Sequence, residues 1–394
     1  MSAPTDTSSS VKPRFDHAPR TRVVYGPGTL ELIGRLSSEL EGRRIMLVTD
    51  YGLRATGQVE RCEQILRNEG MDVVTFDDVR ANPTTEDVDR GLQIAREADI
   101  DTLIGFGGGS SLDCAKGINF LYTNGGRMED YWGVGKANQP MLPLIAVPTT
   151  AGTGSEAQSF ALIANAKTHM KMACGDPKAA CRIAILDPEL TLSMPVSVTA
   201  VTGIDAISHA IESYVTTKRN PVSAMFSKES WTHLQAGFPQ VFKTPDDLEA
   251  RGAMQLGANL AGSAIENSML GATHSMANPL SAHFGTTHGI AIGVLLPHVI
   301  RYNARSVNSL YGDLAQIAGL CDRKDSRAGE LLADYVTSLV ELSGSPVDLA
   351  GCHVDPKLIP KLAQEAAEQW TAQFNPRLIG AADFEELYRC AMTA

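Results

Sequence analysis

From Arg22 onward the chain alternates short apolar runs with amphipathic stretches. The runs Arg22–Tyr25, Arg43–Thr49, Val73–Phe76, Thr102–Phe106, Leu144–Val147 and Ile183–Leu186 predict strands. Several are wholly apolar, as strands covered on both faces by helices are. Between them Leu53–Glu69, Thr85–Glu97 and Leu112–Leu121 carry helical spacing. Alternating βαβ order predicts a mostly parallel sheet. After about Pro195 the rhythm changes, and long helical patterns such as Val198–Val215, Asp246–Ala264, Ala328–Leu342 and Asp383–Ala391 take over. The expected organisation is an α/β domain over residues 15–192 and an all-helical domain over 193–394, with the break near Asp187–Pro195. The polar, Ser/Thr-rich residues 1–14 are expected to be a disordered tail. Ligands of open parallel sheets sit at the carboxyl ends of the strands, so the crevice between the domains is the expected site.

Composition narrows the function classes. A net charge of -11 argues against a nucleic-acid partner. It leaves room for an anionic cofactor held by backbone N–H groups. The seven cysteines are odd in number and no pair has CxxC spacing, so neither a disulfide framework nor a zinc knuckle is expected. Scattered thiols fit a reducing cytoplasm. The N-terminal residues lack the apolar stretch of a signal peptide. No run of eighteen apolar residues occurs, so no membrane span is expected.

The segment Leu103–Gly117 is an apolar strand, three glycines and a helix opening at Ser110. Gly107, Gly108 and Gly109 let backbone approach a pyrophosphate, with the N–H groups of the helix start pointing at it. The plainer alternative is a tight βα turn. The loop is not the G-x-G-x-x-G fingerprint, because Ser110 fills the place of its third glycine. Asp50 ends an earlier strand. It is either a turn or cap aspartate or a ribose-diol acceptor that repels a 2′-phosphate.

Asp205 and His209 stand at i and i+4 in VTGIDAISHAIESY, so they share a helix face. The segment Gly271–Gly289 holds His274, His283 and His288, three of the nine histidines. Such a cluster in an apolar helical region needs partners. Asp205, His209 and two of these three would make an N₃O site for Fe²⁺ or Zn²⁺. Spacing does not say which two.

Taken together, YGPGTL, VTD, ANPT (Ala81–Thr84), GFGGGSSLDCAKG, AVPTTAGTGSE (Ala146–Glu156), GIDAISHAIESY, the Gly271–Gly289 segment and NPR (Asn375–Arg377) resemble the iron-containing (group III) alcohol dehydrogenase family, from about Val23 to Ala391. The resemblance implies a Rossmann-like α/β domain on the dehydroquinate synthase-like plan, followed by an all-α domain. It implies that Asp205, His209, His274 and His288 are the metal ligands, leaving out His283. It also implies that Gly107, Gly108, Gly109 and Ser110 hold the pyrophosphate, that Asp50 selects NAD over NADP, and that Asn82, Thr149, Thr150 and Lys171 complete the cofactor contacts.

One position departs from the pattern. Several relatives carry a histidine four residues after the third ligand, where this chain has Asn278. Asparagine positions by hydrogen bonding and does not titrate near neutral pH. His283 is the candidate to take over part of a proton relay, or else it lines the substrate pocket wall. The activity implied is hydride transfer between nicotinamide C4 and a small alcohol or aldehyde on a divalent metal, in a cytoplasmic homo-oligomer. A polyol dehydrogenase, a reductase of dicarboxylate or phosphonate aldehydes, or a non-catalytic nucleotide- and metal-binding protein are the competing readings.

Overall fold

The computed structural model describes residues 15–168 and 170–393, and the expected tail over residues 1–14 lies outside the described residues. The strands in chain order are β1 (Arg22–Tyr25), β2 (Arg44–Val48), β3 (Asp72–Phe76), β4 (Thr102–Gly107), β5 (Gly133–Val134), β6 (Leu144–Pro148), β7 (Phe160–Ala164), β8 (Lys171–Gly175) and β9 (Ile183–Leu186). Six of them form one sheet in the order β1-β9-β6-β4-β2-β3, every pair parallel. The register places Ile104 beside Ile145 and Leu47 beside Ile104. β4 and β6 are buried along their whole length, as apolar strands covered on both faces should be.

The helices among these strands are α1 (Ile33–Glu39), α2 (Tyr51–Arg54), α3 (Gln58–Asn68), α4 (Thr85–Glu97) and α5 (Gly109–Asn124). Leu36, Val59 and Leu66 pack on one face of the sheet, against Leu47, Ile104 and Ile145. Val88, Leu92, Leu112 and Ile118 pack on the other, against Met46, Leu103 and Ala146. The single helix expected over Leu53–Glu69 is two, because the chain turns at Ala55–Gly57 with Gly57 left-handed at φ 79°. β5, β8 and β7 make a second, three-stranded sheet that the periodicity did not reveal.

The chain goes from β2 outward to β3, then returns to lay β4 on the other side of β2. Adjacent strands β2 and β4 therefore send their following segments in opposite directions. This is a topological switch point, where a crevice opens at the strand ends.

The second half holds α6 (Val196–Val215), α7 (Pro221–Lys243), α8 (Leu248–Glu266), α9 (Ala272–Phe284), α10 (His288–Ile317), α11 (Ala328–Leu342), α12 (Ile359–Glu368) and α13 (Ala381–Cys390). They enclose one core that includes Ile207, Ile211, Trp231, Phe238, Leu295 and Phe384. The two halves are tightly fastened. Gln255 donates to the Pro148 carbonyl at 3.0 Å, Asn259 to Glu156 at 3.1 Å, and the Ser159 hydroxyl and N–H to Glu266 at 2.7 and 3.0 Å. Ala151, just beyond β6, is buried in the helical core.

Candidate active site

Asp50 stands just past β2, at the switch point. It caps α2 by accepting the Leu53 N–H at 3.0 Å through Oδ1. Its Oδ2 faces the glycine loop, 3.4 Å from the Ser111 hydroxyl. The cap and the ribose-acceptor readings are thus compatible, since one oxygen serves the helix and the other is turned to the glycine loop. Gly107 sits at φ 147°, where a β-carbon would lie 2.6 Å from Ser111 Oγ. A β-carbon on Gly109 would run into Thr153 at 2.6–3.0 Å. Only glycine fits this close packing, so bare backbone lines the loop. Helix α5 begins at Gly109, one residue before the expected Ser110, with Gly108 at its cap. Ser110 accepts the Asn82 N–H at 3.2 Å, which brings those two expected cofactor residues together. Thr149 donates its N–H to the Gly107 carbonyl at 3.0 Å, and Thr150 lies beside Gly108. Lys171 opens β8, with its ammonium charge acting on both Asp113 and His288.

The chain leaving β6 links this loop to the helical domain. Thr150 and Thr153 back the glycines, and Gly152 presses on Thr202 of α6. One turn further along α6 comes Asp205, then His209 and Glu212, all three buried. Residues at i, i+4 and i+7 share one face. His274 lies in the first turn of α9, and His288 is the first residue of α10.

These side chains converge on one oxygen. Asp205 Oδ1 is 3.4 Å from Nε2 of His209, 3.6 Å from Nε2 of His274 and 3.6 Å from Nε2 of His288. The His209 and His274 rings stack at 4.9 Å, and the His288 ring lies 5.4 Å from that of His274. Asp205 Oδ1 and His274 Nε2 are buried with no hydrogen-bond partner among the described residues. Orphaned buried polar atoms are costly unless something else satisfies them. Ligands at about 2.1 Å from one small cation stand roughly 3.4 Å apart. The ligand atoms of Asp205, His209 and His274 lie within 4.8 Å of one another, and His288 Nε2 joins them at Asp205 Oδ1. The residues present therefore fit a divalent metal.

The electrostatics agree. Burial alone would raise the Asp205 carboxyl, but the His209, His274 and His288 imidazoles hold it well below the usual range. Burial alone would lower His274, yet Asp205 and Glu212 on either side push it up to about 9. Burial wins at the other two rings, lowering His209 and pushing His288 down to about 3, so His274 is the ring that holds a proton. Glu212, which no motif singled out, accepts His274 Nδ1 at 2.6 Å. The available signal was its spacing, because it continues the Asp205–His209 face.

The two relay candidates lie apart from one another. Asn278, one turn beyond His274, donates to Gln369 at 3.0 Å. His283 is at the far end of α9, and its Nε2 meets Glu365 Oε2 of α12 at 2.8 Å.

The sequence matches the description iron-containing alcohol dehydrogenase over residues 19–188, and Fe-containing alcohol dehydrogenase family, C-terminal, over residues 199–392. The chain belongs to the iron-containing alcohol dehydrogenase family. A member from Bacillus methanolicus, NAD-dependent methanol dehydrogenase, is 32% identical over 371 residues, 94% of this chain and 97% of that protein. A solved 1,3-propanediol oxidoreductase superposes with a TM-score of 0.93 at 32% identity, over 96% of this chain and all of that one. A sulfoacetaldehyde reductase from Bifidobacterium kashiwanohense, solved in complex with NAD⁺, gives 0.87 at 26% identity, over 97% of this chain and 99% of that one. The family's two segments divide between residues 188 and 199, where α6 begins. No helix among the described residues is long and apolar enough to cross a membrane.

Proposed function

We propose that this iron-containing alcohol dehydrogenase moves a hydride between NAD(H) and a small alcohol or aldehyde, with Asp205, His209, His274 and His288 holding Fe²⁺ or Zn²⁺. The convergence of three imidazole nitrogens on Asp205 Oδ1 carries the reading. A divalent cation bound there supplies Lewis acidity, which lowers the pKa of an alcohol hydroxyl and polarises an aldehyde carbonyl. The chain does the rest by binding and orientation. Backbone at Gly107–Ser110 holds the pyrophosphate at the start of α5, where helix N–H groups point outward. Asn82, Thr149, Thr150 and Lys171 complete the cofactor contacts.

Reduced-cofactor turnover on protein reloaded anaerobically with Fe²⁺ or Zn²⁺ tests this. The aldehyde panel is short-chain, hydroxylated and anionic, with NADH set against NADPH. Metal-dependent oxidation of NADH is expected. Bound NADH and metal without turnover on any aldehyde would point instead to a non-catalytic role.

Asp50 is the proposed cofactor selector. Asp50→Asn keeps the cap on α2, since asparagine caps as well as aspartate, but removes the charge. The kcat/KM ratio of NADPH to NADH is expected to rise about 10-fold to 100-fold once like-charge repulsion is gone. An unchanged ratio would remove Asp50 from this role.

A further inference from the structure

The end of α6 and the start of α9 meet at Glu212. Its Oε2 takes His274 Nδ1 at 2.6 Å and the Gly271 N–H at 3.2 Å. Its Oε1 takes the Thr273 N–H at 2.7 Å. The Ala272 N–H between them goes to Asn375 Oδ1 at 3.4 Å. Asn375 is itself fixed. It accepts from Asn303 at 3.0 Å, donates back to Asn303 at 2.8 Å, and donates to the Arg377 carbonyl at 2.7 Å. Three successive N–H groups at the start of α9 are thus held by two side chains from other elements. The turn cannot rotate without giving up several buried hydrogen bonds. This is also the place in the structure of the NPR motif, to which no cofactor or substrate contact is assigned.

An ionised carboxylate only accepts hydrogen bonds. Facing Glu212, the hydrogen of a neutral His274 ring sits on Nδ1. The Nε2 lone pair is then left pointing at the Asp205 pocket, where Nε2 has no protein partner.

We propose that Glu212 is a positioning residue for the metal, selecting the Nδ1–H tautomer of His274 and aiming Nε2 at the cation, with Asn375 fixing the turn that carries the ring. This rests on the cation-site reading above. Glu212→Gln is the sharp variant. Its amide has one acceptor oxygen and no charge, so whichever way it turns its NH₂ opposes an N–H, either that of Thr273 or those of Gly271 and the ring, and the charge-assisted hold on Nδ1 is lost.

The test is Zn²⁺ affinity of wild type and Glu212→Gln by competition with a chromophoric chelator, together with NMR of ¹¹³Cd-loaded, ¹⁵N-histidine-labelled protein. Glu212→Gln is expected to bind Zn²⁺ about 10-fold to 100-fold more weakly. In the wild type, cadmium is expected to couple to Nε2 of His274 with the hydrogen on Nδ1. This arm needs no variant to fold. Equal Zn²⁺ affinity in Glu212→Gln, or cadmium coupling to Nδ1 in the wild type, overturns the role of Glu212. If the wild type binds neither Zn²⁺ nor Cd²⁺, the cation-site reading falls and takes this one with it.

Discussion

Replacing His274 by alanine is expected to lower metal content and to cut kcat/KM by roughly 10³-fold or more, because the cation contributes several kcal/mol of charge stabilisation. Two losses combine. One nitrogen donor disappears from the set around Asp205. Glu212 also loses the partner it meets at 2.6 Å and becomes a buried carboxylate with only the Gly271 and Thr273 N–H groups left. Metal content after dialysis against a buffered chelator, measured beside turnover, separates loss of cation from loss of fold. An active, metal-free His274→Ala protein would sink the metal-centre reading.

Lys116→Met should produce the largest change in stability. Lys116 is fully buried on α5. Its ammonium reaches the carbonyls of Ser155, Gln158 and Phe160 at 2.6, 2.8 and 2.9 Å, and the Ser155 hydroxyl at 2.9 Å. Methionine fills similar volume but satisfies none of these acceptors. Stranding them, and leaving nearby Asp113 without its cation, should cost about 3–5 kcal/mol. On the order of 10 °C in thermal midpoint follows for a domain of this size. The loop pinned by Lys116 runs on from Thr153, which backs Gly109, so NADH affinity should fall as well. A thermal midpoint within a degree or two of wild type would show that the acceptors find water instead.

The difference between these two sites bears on what sequence can tell. The strands β1 and β9 fall on the expected residues, and the others of the large sheet within a residue or so, the central β2, β4, β6 and β9 because they are short apolar runs covered on both faces. β7 is an apolar run too, FALIA, but it pairs antiparallel with β8 outside the alternating βαβ order, with no helix among the described residues between them to mark it. Asp205 and His209 were legible because a helix turns local spacing into a shared face. Spacing left the choice among His274, His283 and His288 open, and only the family resemblance made it, since it depends on how α9 and α10 are set against α6. The fold puts His288 beside Asp205 and His283 against Glu365, 3.6 and 2.8 Å away respectively. The partners of Glu212 and Lys116 were not legible for the same reason, although Glu212 shares the helix face of Asp205 and His209. Each looks like an ordinary polar residue on a helix until distant backbone arrives to meet it.

The sheet order also bears on how the chain is made. Among the described residues its edge strand β1 pairs only with β9, Val23 beside Ala184. During synthesis at about 5–20 residues per second, β1 waits on the order of ten seconds or more for its partner to leave the ribosome. In that interval Val23 and Tyr25 belong to an unpaired apolar strand, the kind of segment that chaperones hold and that neighbouring nascent chains can capture. Slowing translation before Ile183 should therefore lower soluble yield without touching the finished enzyme.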